Sequence, residues 1–291
     1  MALGDFLRRL VSGPGKGLGV EELARRLGLS PEELQAVQPA YREFTIPKRA
    51  GGSRRIAAPA PDLKQLQRRI LQRLLSRLKA HRSATGFERG QSIVTNALVH
   101  ARKPVVVRMD IKDFFGSTST KRVEAYFRAV GWSGEAARLL TRLSTHEGSL
   151  PQGAPTSPRL SNLVNVRLDA RLSALARKLG AAYTRYADDI TFSFPAEDRS
   201  AIGAAIVTTK RVLADEGYAL HQKRKLHIRR RHQQQLVTGL VVNDRPRLPR
   251  STRRWLRAIE HHVATGRDAT LTAAQLAGWR ALQSMVARKP A

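Results

Sequence analysis

Cysteine is absent from the 291 residues, which excludes disulfides, zinc–thiolate sites and cysteine nucleophiles. Acids are scarce: 23 Asp and Glu stand against 52 Lys and Arg, leaving a formal charge of +29 and a pI near 11.6. Like charge on that scale repels itself in a compact monomer unless a polyanion neutralises it. The first expected partner is therefore nucleic acid, held through its phosphates. A codon bias toward arginine would enrich Ala and Gly without suppressing acids this far. No apolar run approaches the roughly 18 residues that cross a bilayer, so no membrane is expected. Met1 to Leu10 carries two arginines and leads into Gly-rich sequence, not a signal-peptide core, so the chain reads as cytoplasmic.

With 42% hydrophobic residues, the chain can bury a core, and its patterning reads as α+β. Residues 19–37 predict two short helices, with Ser30 as N-cap, Pro31 at the first helical position and Glu33 at the third. They could pass for a helix-turn-helix but are read as a helical cap, over residues 1–40, on a larger domain. Strand-like pieces flank Gly51-Gly52 in residues 44–59 and predict a hairpin with basic arms. Leu63, Leu66, Ile70, Leu74 and Leu78 recur at helical spacing in residues 62–79. Pro104 to Ile111 is short and β-branched, as suits a buried strand ending at Asp110. Helices are expected from about Ser119, over Glu135 to Leu143, and from Arg159 to Leu179 after the Pro- and Gly-rich loop Leu150 to Pro158. Tyr183 to Phe194 predicts a second hairpin. A helix over 200–216, a strand from Tyr218 to Ile228, a hairpin-like run over Leu236 to Val242 and helices over about 250–265 and 271–287 follow.

Because acids are few, their placement matters. Asp110 ends an apolar strand, and Asp188 and Asp189 sit at a hairpin tip. If those strands are neighbours, three carboxylates converge, and such a cluster cannot stay ionised in a partly buried place without cations. Two Mg²⁺ ions bridged by the carboxylates answer this and supply a clamp for in-line phosphoryl transfer. One would activate the attacking hydroxyl and the other would stabilise the leaving pyrophosphate. Taken singly, each acid has a plainer reading: paired Asp residues are common in turns, and Asp110 could cap a strand end. Asp113 is read as a structural helix-start residue.

Four segments resemble the reverse transcriptases, in that family's order. Tyr186-Ala187-Asp188-Asp189 is similar to the YxDD signature, and Asp110 to Phe115 (DIKDFF) to the first catalytic motif. Leu150 to Pro158 (LPQGAPTSP) resembles the loop beneath the incoming nucleotide, and Gly86 to Ala97 (GFERGQSIVTNA) the motif preceding the first catalytic one. Asn96 to His100 (NALVH) and Val237-Thr238-Gly239 (VTG) resemble elements that set retron enzymes apart. The chain is thereby identified as a member of the retron-type bacterial reverse transcriptases.

The resemblance implies a right-hand polymerase: fingers and an antiparallel palm over 41–245 and a small helical thumb over 246–291. It implies RNA-directed DNA polymerase activity with Asp110, Asp188 and Asp189 as catalytic, Mg²⁺-binding residues. Phe115 would be the steric gate against a 2′-hydroxyl, with Phe114 the better core candidate. Gln152 would contact the incoming nucleotide, Gly153 would let backbone approach closely, and Lys48 and Arg55 would hold the triphosphate, with Arg49 and Arg54 as alternatives. Asn96, His100, Val237, Thr238 and Gly239 would bind RNA, as would Arg253, Arg254 and Arg257 on the thumb beside His261. The family pattern fails at His221 to Lys225 (HQKRK), where its lysine could map to Arg224 or Lys225. Retron membership implies a structured noncoding RNA as partner and template, deoxynucleoside triphosphates as substrates, priming from a 2′-hydroxyl and a branched RNA–DNA product. It further implies antiphage defence with a separate effector protein, since no room for one is expected after residue 287. Two other readings stand beside it. A non-catalytic basic nucleic-acid-binding regulator would leave the three acids unexplained. A reverse transcriptase of another bacterial group would prime on protein or extend without a template.

Overall fold

A computed structural model of the chain describes residues 17–48, 51–221, 226–268 and 270–288, and its first helices form where their caps require. Helix α1 (Val20–Leu27) stops at Gly28, which takes a left-handed φ of 71°. Ser30 accepts the Glu33 amide while the Glu33 carboxylate accepts the Ser30 amide, and α2 (Pro31–Ala36) begins there. Strand β1 (Tyr41–Pro47) pairs antiparallel with β2 (Ser53–Pro59). Helix α3 (Pro61–Ile70) buries Leu63, Leu66 and Ile70. The apolar spacing predicts one helix to residue 79, but the backbone widens into a π-helical turn over Leu71–Leu75, where the Ser76 amide reaches the Leu71 carbonyl.

Helix α4 (Ile93–Val99) starts at a capping box on Ser92, and β3 (Val105–Asp110) follows. Then come α5 (Thr120–Ala129) and α6 (Gly134–Ser144). The helix expected over 159–179 is two, α7 (Ser157–Leu163) and α8 (Val166–Lys178). They part at buried Asn165, whose amide nitrogen donates to the Ser161 carbonyl and to the Tyr218 hydroxyl, a side-chain bond that competes with the helix. Next are β4 (Ala182–Tyr186), β5 (Asp189–Phe194) and α9 (Arg199–Asp215). Of the strand expected from Tyr218 to Ile228, the described residues include β6 (His227–Arg230), and residues 222–225 lie outside them. Tyr218 is anchored instead by its hydroxyl to Thr118 and Asn165. Strands β7 (Leu236–Val237) and β8 (Leu240–Val241) and helices α10 (Arg250–Ala264) and α11 (Ala273–Ala287) complete the order.

These elements divide into two units. The first comprises Met1–Arg82, Ile111–Ala170 and Val212–Ala219, the second Ser83–Asp110, Arg171–Arg211 and Leu220–Ala291. Neither is one continuous stretch, whereas the sequence suggests three consecutive segments. In the first unit, Leu23, Leu27 and Leu34 of α1 and α2 enter the same core as Ile70, Phe127 and Leu140. The second unit holds an antiparallel sheet in the order β4-β5-β3-β6. Val105, Val106, Val107 and Met109 are all buried, because both faces of β3 are covered, and this is why the strand reads as an unbroken apolar run. A second core joins Val94 and Ala97 of α4 to Val106, Val237, Leu240 and Leu256. No helix among the described residues is long and apolar enough to cross a membrane.

Candidate active site

Asp110 stands directly opposite Asp189 in the antiparallel pair β3 and β5, so their carboxylates leave the same face of the sheet. Tyr186 pairs with Asp189 across β4 and β5, which leaves Ala187 and Asp188 as a two-residue turn. The amide of His221 donates to the Asp110 carbonyl at 2.8 Å and fixes the end of β3. Ala187 has a φ of 56°, a costly conformation for a residue with a Cβ, and its neighbours hold it there. Fully buried Arg185 donates from Nη1 to the Ala187 carbonyl at 3.0 Å. Ser83 to Thr85 run alongside β4: the Arg185 amide donates to Ser83 at 2.7 Å and the Thr85 amide to Arg185 at 2.9 Å. Gly86 then lies against the turn, where a Cβ would stand 2.6 Å from the Ala187 nitrogen.

Arg108, two residues before Asp110 and on the same face, grips Asp189 with both arms of its guanidinium, Nε to Oδ1 at 3.3 Å and Nη2 to Oδ2. Burial pushes the Asp189 carboxyl above the ordinary aspartate value; Arg108 opposes this, Asp110 adds to it and His227 opposes it. Facing carboxylates with a third at the adjoining turn are hard oxygen donors of the kind divalent cations take, and their mutual repulsion calls for a cation. By register and charge they fit one. Among the described residues, the one group of acids and imidazoles whose donor atoms already lie within 4.8 Å of one another is elsewhere: Glu43, His146 and Glu147. Arg55 occupies that cluster, 2.6 Å from Glu43 and 2.9 Å from Glu147.

The residues expected to meet the nucleotide all belong to the first unit. Lys48 is exposed at the β1–β2 tip, where its amide and carbonyl bond Gly52 and Gly51. Arg55 is engaged as just described, and its hydrogen bond, followed by that of His146, holds the Glu43 carboxyl below its usual range. Phe115 is half-buried with its ring 5.6 Å from that of buried Phe114. The Gln152 carbonyl accepts the Ala57 amide at 3.0 Å. Gly153 has a φ of 137°, and a Cβ on it would come 2.8 Å from the Ala57 carbonyl oxygen. The close approach expected at Gly153 is therefore to strand β2. Asp113, with a φ of 44°, lies in the turn before α5. Arg49 and residues 222–225, with Arg224 and Lys225, lie outside the described residues.

Of the residues expected to bind RNA, Asn96 and His100 are buried, 1% and 0% exposed. Asn96 Oδ1 accepts the Thr85 hydroxyl at 2.7 Å, and the His100 ring bridges Ser193 and Thr184, both at 2.8 Å. One face of α4 thus braces the β4–β5 hairpin from inside. Val237 is likewise core, while Thr238 and Gly239 take φ of 46° and 82° as the tight turn between β7 and β8. The Thr238 hydroxyl donates to the Ile93 carbonyl. Arg253, Arg254, Arg257 and His261 are exposed on α10, opposite buried Leu256 and Ile259.

Burial, with the charge of Lys103 adding to it, pushes His100 down from 6.5 to about 3. Between those values the unfolded chain binds a proton that the folded chain refuses, so stability is full above about pH 6.5 and falls as pH drops toward 3, by on the order of a few kcal/mol. His100→Gln is expected to flatten that slope in thermal melts between pH 7 and pH 4. An unchanged slope would assign it to other groups.

Residues 46–241 match the family described as Reverse transcriptase (RNA-dependent DNA polymerase), a right-hand polymerase fold. The Retron Mx162 reverse transcriptase of Myxococcus xanthus is 40% identical over 287 residues, 85% of this chain and 59% of that protein. The Retron Mx65 reverse transcriptase of the same organism is 39% identical over 264 residues, 84% and 61% of the two chains. The Retron Ec86 reverse transcriptase of Escherichia coli is 33% identical over 242 residues, 82% and 74%. The chain spans about three fifths of the Myxococcus relatives. Facing aspartates in register, a third on the strained turn beside them and these likenesses over most of its length lead to one conclusion: the chain belongs to the reverse transcriptase family, in its retron-type branch.

Proposed function

We propose that this chain is an RNA-directed DNA polymerase that extends a DNA strand on a structured noncoding RNA. The observation that carries it is the register of Asp110 opposite Asp189 with Asp188 on the adjoining turn. Two Mg²⁺ ions held there would supply the Lewis acidity that makes the primer hydroxyl nucleophilic and offsets charge on the leaving pyrophosphate. The carboxylates of Asp110, Asp188 and Asp189 would hold those ions. Lys48 and Arg55 take the triphosphate, Arg55 by exchanging its carboxylate partners for phosphate oxygens. Phe115 excludes the 2′-hydroxyl, and the exposed arginines of α10 follow the duplex through its phosphates. The retron likeness supports priming from an RNA 2′-hydroxyl, a branched RNA–DNA product and a role in antiphage defence alongside a separate effector protein.

Purified protein should incorporate deoxynucleotides only with template and divalent metal, and nucleic acid extracted with it from cells should contain a debranching-sensitive RNA–DNA species. Template-independent incorporation would move the chain to a different polymerase class. Phe115→Ala should raise ribonucleotide use relative to deoxynucleotide by about tenfold or more, read as a ratio of kcat/KM values. An unaltered ratio would remove Phe115 as the gate.

A further inference from the structure

Beside the aspartates, within the second unit, lies a cleft of about 290 Å³ lined by Val106, Arg108, His227, Arg229, Gln234 and Leu236. Its position follows from register. Arg108 faces His227 and Val106 faces Arg229 across β3 and β6, so these side chains share the sheet face that carries Asp110 and Asp189. Along that face the chemistry changes in steps: two carboxylates, then Arg108 with His227, then Arg229 with Val106. The lining contains two guanidinium groups, an imidazole and an amide but no carboxylate. Arg229 forms no ion pair among the described residues, so its guanidinium is open to an anion from outside the chain. Such a wall of donors suits an oxyanion, and guanidinium groups in particular suit phosphate.

Arg108 belongs to both neighbourhoods. It lines the cleft and also holds Asp189 through two hydrogen bonds. A guanidinium bonded to both oxygens of a carboxylate takes one lone pair on each and brings its own positive charge, so it competes with a cation for that group. Asp189 cannot serve fully as a metal ligand until Arg108 lets go, and Arg108 needs another anion to go to.

We propose that this cleft binds a backbone phosphate of the nucleic acid strand, and that Arg108 moves between that phosphate and Asp189, so that a strand in place frees Asp189 for a metal ion. This rests on the polymerase reading and adds a coupling to it: strand and metal each raise the other's affinity by the same factor. A free protein with no strand would hold its metal weakly.

The test is Mn²⁺ binding to the full chain, followed by electron paramagnetic resonance with and without a short DNA oligonucleotide ending in a dideoxynucleotide, less the metal bound by the oligonucleotide alone. In the unaltered protein the oligonucleotide should tighten Mn²⁺ binding by about fivefold or more. Arg108→Gln should bind Mn²⁺ more tightly without any strand and lose most of the strand's effect. Arg229→Gln, at a residue that does not act on Asp189, should leave the strand-free affinity as it was and weaken the strand's effect. Arg108→Lys, which keeps the charge but not the two-armed grip, should fall between, and it serves if the glutamine variant melts early. Coupling that persists in Arg108→Gln, or is absent from the unaltered protein, overturns the proposal. Equal coupling from a deoxynucleoside triphosphate alone would give the cleft to the nucleotide and overturn the strand assignment. Asp110→Asn separates the two ideas. If it leaves Mn²⁺ binding intact, the acids are not the metal site and the polymerase reading fails; if it abolishes binding while Arg108→Gln changes nothing, only the coupling fails.

Discussion

Asp110→Asn is expected to lower primer extension by about a thousandfold or more, roughly 4 kcal/mol of transition-state stabilisation, while leaving RNA binding within about twofold. The reason is geometric. Asp110 and Asp189 are direct partners across β3 and β5, so removing one charge breaks the facing pair and leaves a neutral amide in its place. Asparagine has nearly the same shape and β3 is paired on both sides, so the melting temperature should move little. RNA affinity comes from the surrounding surplus of Lys and Arg, not from the acids, and losing an acid costs a phosphate binder nothing. Asp188→Asn should behave in the same way. Retention of activity within tenfold of the unaltered protein, at any concentration of divalent metal, would end the reading of these residues as the polymerase centre.

Gly86→Ala should cost about a hundredfold in kcat with little change in KM for the nucleotide. Gly86 touches no reacting group. A methyl there would sit 2.6 Å from the Ala187 nitrogen, closer than real contacts come, and a tight 3.2 Å from the Tyr186 carbonyl carbon, and both atoms are backbone that cannot swing aside. The turn must shift, and Asp188 and Asp189 shift with it. Displacements of about 1 Å at a reacting centre are enough for losses of this order. Gly203→Ala is the matched control, since nothing lies within 4 Å of the added carbon. In the middle of α9 it should stabilise by roughly 0.5–1 kcal/mol and leave turnover alone. If Gly86→Ala extends primers as fast as Gly203→Ala, the turn is not braced where the backbone contact puts it.

Much of the site is legible without coordinates, and the parts that are not share one property. Ser30, Gly51-Gly52 and the alternation of Ile190, Phe192 and Phe194 announce their turns and strands because a cap or a pleat is decided by residues a few positions apart. The aspartates could be picked out because acids are rare in so basic a chain. The burial of Asn96 and His100 is not legible in this way. As polar residues in a family element they suggest contact with RNA, yet both are internal, since the hydroxyls that satisfy them belong to Thr85, Thr184 and Ser193. Nothing in their neighbouring sequence reports those partners. The long helix expected over 159–179 fails for the same reason: Asn165 bonds Tyr218, 53 positions further on.

By itself the sequence determined the composition of the candidate site, the strand that ends in Asp110, the hairpin that carries Asp188 and Asp189 and the overall positive charge. Each of these depends on local backbone preference or on simple counting. Only the tertiary structure decided that Asp110 faces Asp189, that Arg108 lies 81 positions from the carboxylate it holds, and that Gly86 packs on Ala187. Those pairings join distant parts of the chain through strand register, and a shift of one residue would turn each of these side chains to the other face of the sheet.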